Sequence, residues 1–476
     1  MRLLPFPRFL LSLAGVGAAL GPGAVAARAD VAPAPYVPGQ VVVRYAARTP
    51  LGARAATDRA AGAVALAQPK LATAPFRVLK LRAGTSVPDA VRRLRGTAGV
   101  LTAVPNFRVQ AAGQSPPFFP RDPGRTNRAG AWTRFQWNFL SGAGVDAPGA
   151  WGNLIAAGRP GGSGVRVAVL DSGVAYRNWR QFRRSPDFAA TKFADPYDFV
   201  AHNRFPLDRD GHGTHVAGTI AEQTDNRAGV TGLAYGATII PVRILGPNSG
   251  DVEVAAGIRY AVRHGAQVIN MSLEFPDREA TLTAADIPDV IDAIQYAHRH
   301  GVVIVAASGN EGPRVSYPAR ADHVIAVGAT TVHRCLANYS NHGAGITLVA
   351  PGGGGDAYLP RDPNCNADDP NGRPIYQETL LSHDVPVRRR GRVVRYATVP
   401  YPDRFGLPSD MIGTSMACPH VAATAALVIA SGVLGPNPSP DAVTTRLEST
   451  ARDLGTPGYD LRYGYGLVNA ARATAP

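Results

Sequence analysis

Five short apolar runs constrain this chain more than any other feature: "VRVAVLD" (165–171), "TIIPVRIL" (238–245), "AQVINMSL" (266–273), "GVVIVAAS" (301–308) and "HVIAVGAT" (323–330). None has the polar–apolar alternation of a half-exposed strand, so they suit parallel strands covered on both faces. Between them, "HGTHVAGTIAEQ", "GDVEVAAGIRYAVRHG" and "IPDVIDAIQYAHRHG" read as helices. Alternating β and α segments predict a doubly wound α/β domain, a parallel sheet flanked by helices. Such a sheet presents its chemistry at the carboxyl ends of its strands.

The part before it has a different grammar. Arg2 and Arg8 form a basic stretch ahead of the short apolar run "FLLSLAGVGAAL" (9–20), and Ala27-Arg28-Ala29 fits a cleavage site, so residues 1–29 read as a signal peptide. The run is too short to span a bilayer, and no other run is long enough. "YVPGQVVVRYAA", "FRVLKLRAG" and "VLTAVPNFRVQ" read as strands, and "SVPDAVRRLRGTAG" as a helix opened by Ser86. Residues 30–112 thus read as a small α+β domain. Residues 113–135, rich in Pro, Gly, Arg and Ser, read as an exposed linker. Residues 136–476 form the large domain, interrupted by a turn-rich insertion at 352–409 with a hairpin at 386–398.

The net charge of +14 is uneven. Residues 30–112 hold twelve Lys or Arg and three Asp, whereas 113–476 hold 34 basic and 32 acidic residues. A nucleic-acid binder keeps a basic face on its main domain, so nucleic acid is not the expected partner. The three cysteines are too few for a disulfide framework. Cys335 and Cys365 are free to pair in an oxidising compartment, and Cys418 lies inside an apolar helix as a small hydrophobe.

Four polar residues stand at element ends. Asp171 closes a strand in "VAVLDSGV", His212 opens a helix in "DRDGHGTHVAG", Asn310 follows a strand in "VAASGNEG", and Ser415 opens the helix of "GTSMACPHVAA". A serine hydroxyl needs a base within hydrogen-bond reach to become a nucleophile, and a histidine can take that proton and return it to a leaving amine. A buried aspartate fixes the histidine tautomer, and an asparagine amide can stabilise an oxyanion. His215, His420, Asp208 and Asp210 read as packing, loop or cap groups without a catalytic role.

The chain order Asp, His, Ser, with the motifs around Asp171, His212, Asn310 and Ser415, resembles the subtilisin-like serine proteases, the subtilases. The resemblance runs from about Trp137 to "YGYGLVNAARA". An esterase of α/β-hydrolase type would carry G-x-S-x-G and another order. A non-catalytic peptide-binding relative would have lost one of the four residues or would retain its propeptide permanently. The resemblance implies a secreted serine endopeptidase with Asp171, His212 and Ser415 as triad and Asn310 as oxyanion donor. Residues 36–110 resemble the family's inhibitory propeptide, removed by self-cleavage between about Val109 and Ala131. Expected partners are polypeptide substrates and the chain's own propeptide, with no membrane after signal removal, and a monomer is expected.

For substrate binding the resemblance points to Ser272, Leu273, Glu274 and Gly309, with Ser316 and Tyr317 near the pocket base. The family's Ser-Leu-Gly-Gly reads "SLEF" here. Glu274 at the pocket rim is either a solvent-facing carboxylate or a selector of basic residues. A structural calcium ion is also implied, with Asp225, Asn226 and Gln136 as oxygen ligands. The acidic residue usual nine positions after the catalytic Asp is Arg180 here, and "NADDPNG" is a second candidate.

Overall fold

A computed structural model describes residues 36–65, 76–107, 115–276, 281–365, 372–389 and 392–476. The expected signal peptide, most of "NADDPNG" and the start of the expected linker lie outside the described residues. The chain divides into two units, 1–112 and 113–476.

In the first unit, β1 (Tyr36–Tyr45) is followed by α1 (Leu51–Ala60), β2 (Ala63–Ala65), β3 (Phe76–Leu81), α2 (Val87–Arg95) and β4 (Val100–Phe107). The strands form an antiparallel sheet in the order β2-β3-β1-β4. Ser86 caps α2 by accepting the Asp89 N–H at 3.2 Å. Val87, Ala90, Val91 and Leu94 recur at helical spacing and are buried with Val41, Val43 and Leu79. Sequence reading missed α1 and β2. The only buried residue of α1 is Asp58, bonded to Tyr45 and paired with Arg77, so it lacks an apolar stripe.

The second unit contains α3 (Ala147–Ala156), β5 (Arg166–Asp171), β6 (Lys192–Phe193), β7 (Tyr197–Asp198), α4 (His212–Ala221), β8 (Thr238–Arg243), α5 (Asp251–Arg263), β9 (Val268–Met271), α6 (Pro288–Arg299), β10 (Val303–Ala307), β11 (Val324–Thr330) and β12 (Leu348–Pro351). It ends with β13 (Thr379–Arg389), β14 (Arg392–Gly406), α7 (Thr414–Ser431), α8 (Pro440–Thr450) and α9 (Ala470–Thr474). The main sheet runs β12-β11-β10-β9-β5-β8-β6, with β7 on β8, and its pairs are parallel. The five apolar runs are β5, β8, β9, β10 and β11. Side chains on both faces of the sheet are buried, in two separate cores. That explains the missing alternation.

The helix α7 packs against β9 to β12 and α4. Against the sequence expectation that no second run has the length, it is, among the described helices, the one long and apolar enough to cross a membrane, yet it is mostly buried inside this unit.

Two sequence expectations differ from the structure. From Ser115 onward the presumed linker is part of the second unit: Trp132 is fully buried, donates from its indole nitrogen to Pro120 O (2.9 Å) and packs edge-on to Trp151. A few aromatic anchors among Pro and Gly suffice to bury a segment without regular structure. The insertion carries a longer hairpin than expected, spanning Thr379 to Gly406. Cys335 and Cys365 form a disulfide, and Cys418 is free and buried.

Candidate active site

Asp171, the last residue of β5, is fully buried. Its Oδ1 accepts the Ser172 N–H (2.7 Å) and lies 2.7 Å from His212 Nδ1. His212 opens α4, and the turn before it is held by buried Asp208. One oxygen of Asp208 accepts from the Asp210 and Gly211 N–H groups and the Ser172 hydroxyl; the other accepts from Thr214 N–H at 2.9 Å. Asp208 thus holds the loop before α4, whose N-cap is Gly211, and loop group is one of the two roles its position in the sequence suggests. Gly213 permits the close approach of the two elements, since a Cβ there would lie 2.2 Å from Gly173 O.

Burial works against a charged His212, but the Asp171 charge and hydrogen bond, with Asp210 and Asp208, outweigh it and raise the imidazole to about 9. His215 and His420 behave oppositely. Both are fully buried, and burial lowers them to about 3 and about 4. His215 bonds to Ile375 O, and His420 to Met416 O and the Asn138 amide, as packed structural histidines do.

Ser415 lies in the first turn of α7, where backbone N–H groups lack intrahelical acceptors. Its hydroxyl donates to Ser272 O at 3.3 Å. Pro419 sits inside this helix and has no N–H for the Ser415 carbonyl four residues back. The Ser272 hydroxyl fills that role, donating to Ser415 O at 2.8 Å. Asn310 is oriented by Thr414, whose N–H and hydroxyl donate to its Oδ1 at 2.9 and 3.0 Å. With its oxygen so engaged, the amide NH₂ is left to donate elsewhere. Sequence reasoning missed Thr414 and Ser172 because their role is to position neighbours.

Ser272, Leu273 and Glu274 line one cleft of about 700 Å³ with His212, Asp210 and Arg209. Gly309, at φ +109°, faces the Glu274 carboxylate. A hydroxyl, an imidazole with its carboxylate, and an amide donor are the parts an acyl-transfer site requires.

Residues 162–466 match the model of the subtilase family, Peptidase_S8. The chain belongs to the subtilase family. It is a serine protease, a hydrolase. Residues 22–106 of this subtilase match the fervidolysin N-terminal prodomain, so the first unit is a propeptide domain. The chain is 30% identical over 439 residues to the thermophilic serine proteinase of Bacillus sp. strain AK1, covering 90% of this chain and 86% of the relative. It is 36% identical over 318 residues to subtilisin Savinase of Lederbergia lenta, covering 66% of this chain and 91% of the relative. The solved structure of a protease from Pseudoalteromonas arctica superposes with a TM-score of 0.55 at 29% identity, covering 75% of this subtilase and 99% of that chain.

The calcium ligands inferred from sequence do not fit an ion. Gln136 is fully buried, with its amide bonded on both sides to the Thr231 backbone. The Arg121 guanidinium grips the Asp225 carboxylate at 2.9 and 2.7 Å, and its hydrogen bonds, helped by its charge, hold that carboxyl below the usual range. Asn226 bonds to Asp187 and to the Ala228 N–H. Buried Asp122 accepts the N–H groups of Asp225, Asn226 and Arg227. A guanidinium and a carboxylate from the presumed linker therefore fix this loop. Arg180 lies over the Trp179 ring.

The acid that faces the loop is Asp187, further along than the sequence reading looked. It lies with Glu222 and Glu378, each offering an oxygen within 4.8 Å of the others. Burial raises all three, Asp187 to about 8. Glu222 is fully buried and its Oε2 has no hydrogen-bond partner. Three convergent carboxylates with an unmet acceptor fit a hard cation.

Proposed function

We propose that this subtilase is a secreted endopeptidase in which Ser415, His212 and Asp171 form the triad and Asn310 is the oxyanion donor. The observation that carries this reading is the 2.7 Å contact from buried Asp171 to His212, which lines one cleft with Ser272, the residue hydrogen-bonded to Ser415. Ser415 Oγ attacks the substrate carbonyl carbon while His212 Nε2 takes its proton. The Asn310 amide and the first-turn N–H groups of α7 stabilise the oxyanion. His212 then returns the proton to the leaving amine as the C–N bond breaks. Water, deprotonated by His212, hydrolyses the acyl-enzyme and regenerates Ser415.

Residues 1–29 direct export, and 30–112 form the propeptide that the enzyme removes from itself. Its substrates are polypeptides, and it acts as a monomer. Asp187, Glu222 and Glu378 would hold a structural Ca²⁺, which supplies charge balance to a buried acidic cluster and takes no part in the chemistry.

Intact mass of the secreted wild type beside Ser415→Ala tests the reading. Loss of the propeptide by the wild type alone supports it. Retention by both, together with no hydrolysis of unfolded protein, leaves a peptide-binding relative without catalysis. Equal loss by both assigns the trimming to another protease.

A further inference from the structure

The Glu274 carboxylate is fixed across the gap between the Ser272–Phe275 segment and the Ser308–Asn310 segment. Its Oε1 accepts the Asn310 N–H at 3.2 Å, and its Oε2 accepts the Ser316 hydroxyl at 3.0 Å. The Ser316 oxygen in turn accepts from the amide of buried Asn341 at 3.0 Å. A Cβ placed on Gly309 would lie 2.3 Å from Glu274 Oε2, so the carboxylate covers the face of that glycine. Among the described residues no cation pairs with Glu274. A solvent-facing carboxylate would need none of these contacts.

The position matters because both flanking segments belong to the site. Ser272 is bonded twice to Ser415, and Asn310 is the oxyanion donor of the reading above, on which this inference rests. On that reading, a substrate strand laid along Ser272–Glu274 with its carbonyl at Ser415 would carry the side chain of the residue that donates this carbonyl toward Gly309. There it meets a preplaced carboxylate. A large apolar side chain would strip water from that carboxylate without replacing the lost interactions. An acidic one would meet like charge, whereas a Lys or Arg side chain brings the missing counter-charge on a long apolar stem.

We propose that Glu274 makes this subtilase select Lys or Arg as the residue whose carbonyl is attacked. The preference arises from attraction to a fixed carboxylate and from exclusion of residues that leave it desolvated and unpaired. It also places self-cleavage after Arg108, the one basic residue between Phe107 and Ser115.

The test uses the purified full chain and fluorogenic peptides identical except for Arg, Lys, Leu, Phe or Glu at the acyl position. Wild type is expected to favour Arg and Lys over Phe in kcat/KM by about 30-fold or more, the scale of a buried charge pair. Glu274→Gln is expected to remove most of that ratio, chiefly by slowing the basic substrates. A ratio of two substrates on one preparation is independent of the folded fraction, so poor folding of the variant does not mask the result. An apolar preference in wild type, or an unchanged ratio in Glu274→Gln, overturns the inference while leaving the protease reading intact. Hydrolysis of no peptide and of no unfolded protein overturns both.

Discussion

Ser272 and Ser415 hold each other by two hydrogen bonds: the Ser272 hydroxyl donates to Ser415 O, and the Ser415 hydroxyl donates to Ser272 O. The first exists because Pro419 cannot serve that carbonyl, so an imino acid inside α7 is matched by a hydroxyl on the residue just after β9. The substrate-binding segment and the nucleophile are thereby fixed to one another. Replacing Ser272 by Ala leaves the Ser415 carbonyl without its side-chain donor. The expected cost is about 1–3 kcal/mol of stability. A fall in kcat of about tenfold should accompany it, since small displacements of reacting groups are costly. Thermal melts and steady-state kinetics on one preparation check both numbers.

Activity should rise with pH until His212 is deprotonated. Its folded value of about 9 lies above the ordinary 6.5, and only the neutral imidazole can take the Ser415 proton. The kcat/KM profile is therefore expected to climb through the alkaline range toward a plateau above about 9. Stability linked to this group has the opposite sign. A raised histidine stabilises the fold fully below pH 6.5, and this is lost as pH rises through about 9. Melts of Ser415→Ala between pH 6 and 10 should show that decline, beside the wild-type rate profile.

Asp122 is expected to be indispensable to the 224–230 loop. Asp122→Ala leaves three backbone N–H groups without their acceptor, and a loss of about 3 kcal/mol is expected. Arg121→Ala should cost less, because its ion pair with Asp225 is half exposed. Denaturant unfolding of both variants in the Ser415→Ala background measures the order. An equal, small effect would mean that the loop is held by other contacts.

Calcium should raise the melting temperature of Ser415→Ala through Asp187, Glu222 and Glu378. At a hundredfold excess over Kd the expected gain is about 2.7 kcal/mol. Glu222→Gln should abolish most of that gain, whereas Asp225→Asn should leave it in place. Calorimetry with calcium and with chelator reads both, and a calcium gain that survives Glu222→Gln places the ion elsewhere.

The sequence by itself determined the fold class, because strands buried on both faces must be apolar throughout and their helices must alternate with them. It also placed Asp171, His212, Asn310 and Ser415 at element ends, each within a distinctive motif. Local pattern did not reveal α1, whose only buried residue is Asp58, or the packing of 115–135, which depends on a few aromatic anchors. Only the tertiary structure shows which carboxylates converge and which oxygens are already engaged. Gln136, Asp225 and Asn226 had suitable oxygens, but their neighbours Thr231, Arg121, Ala228 and Asp187 already engage them. Asp187, Glu222 and Glu378 come from three distant stretches of chain that no spacing rule connects. Glu274 is the same case: its charge was visible in "SLEF", but its meaning depended on Ser316 and Asn310 across the gap. A residue's type follows from the sequence, whereas what it is bonded to, and so what it is free to do, is set by contacts between segments far apart along the chain.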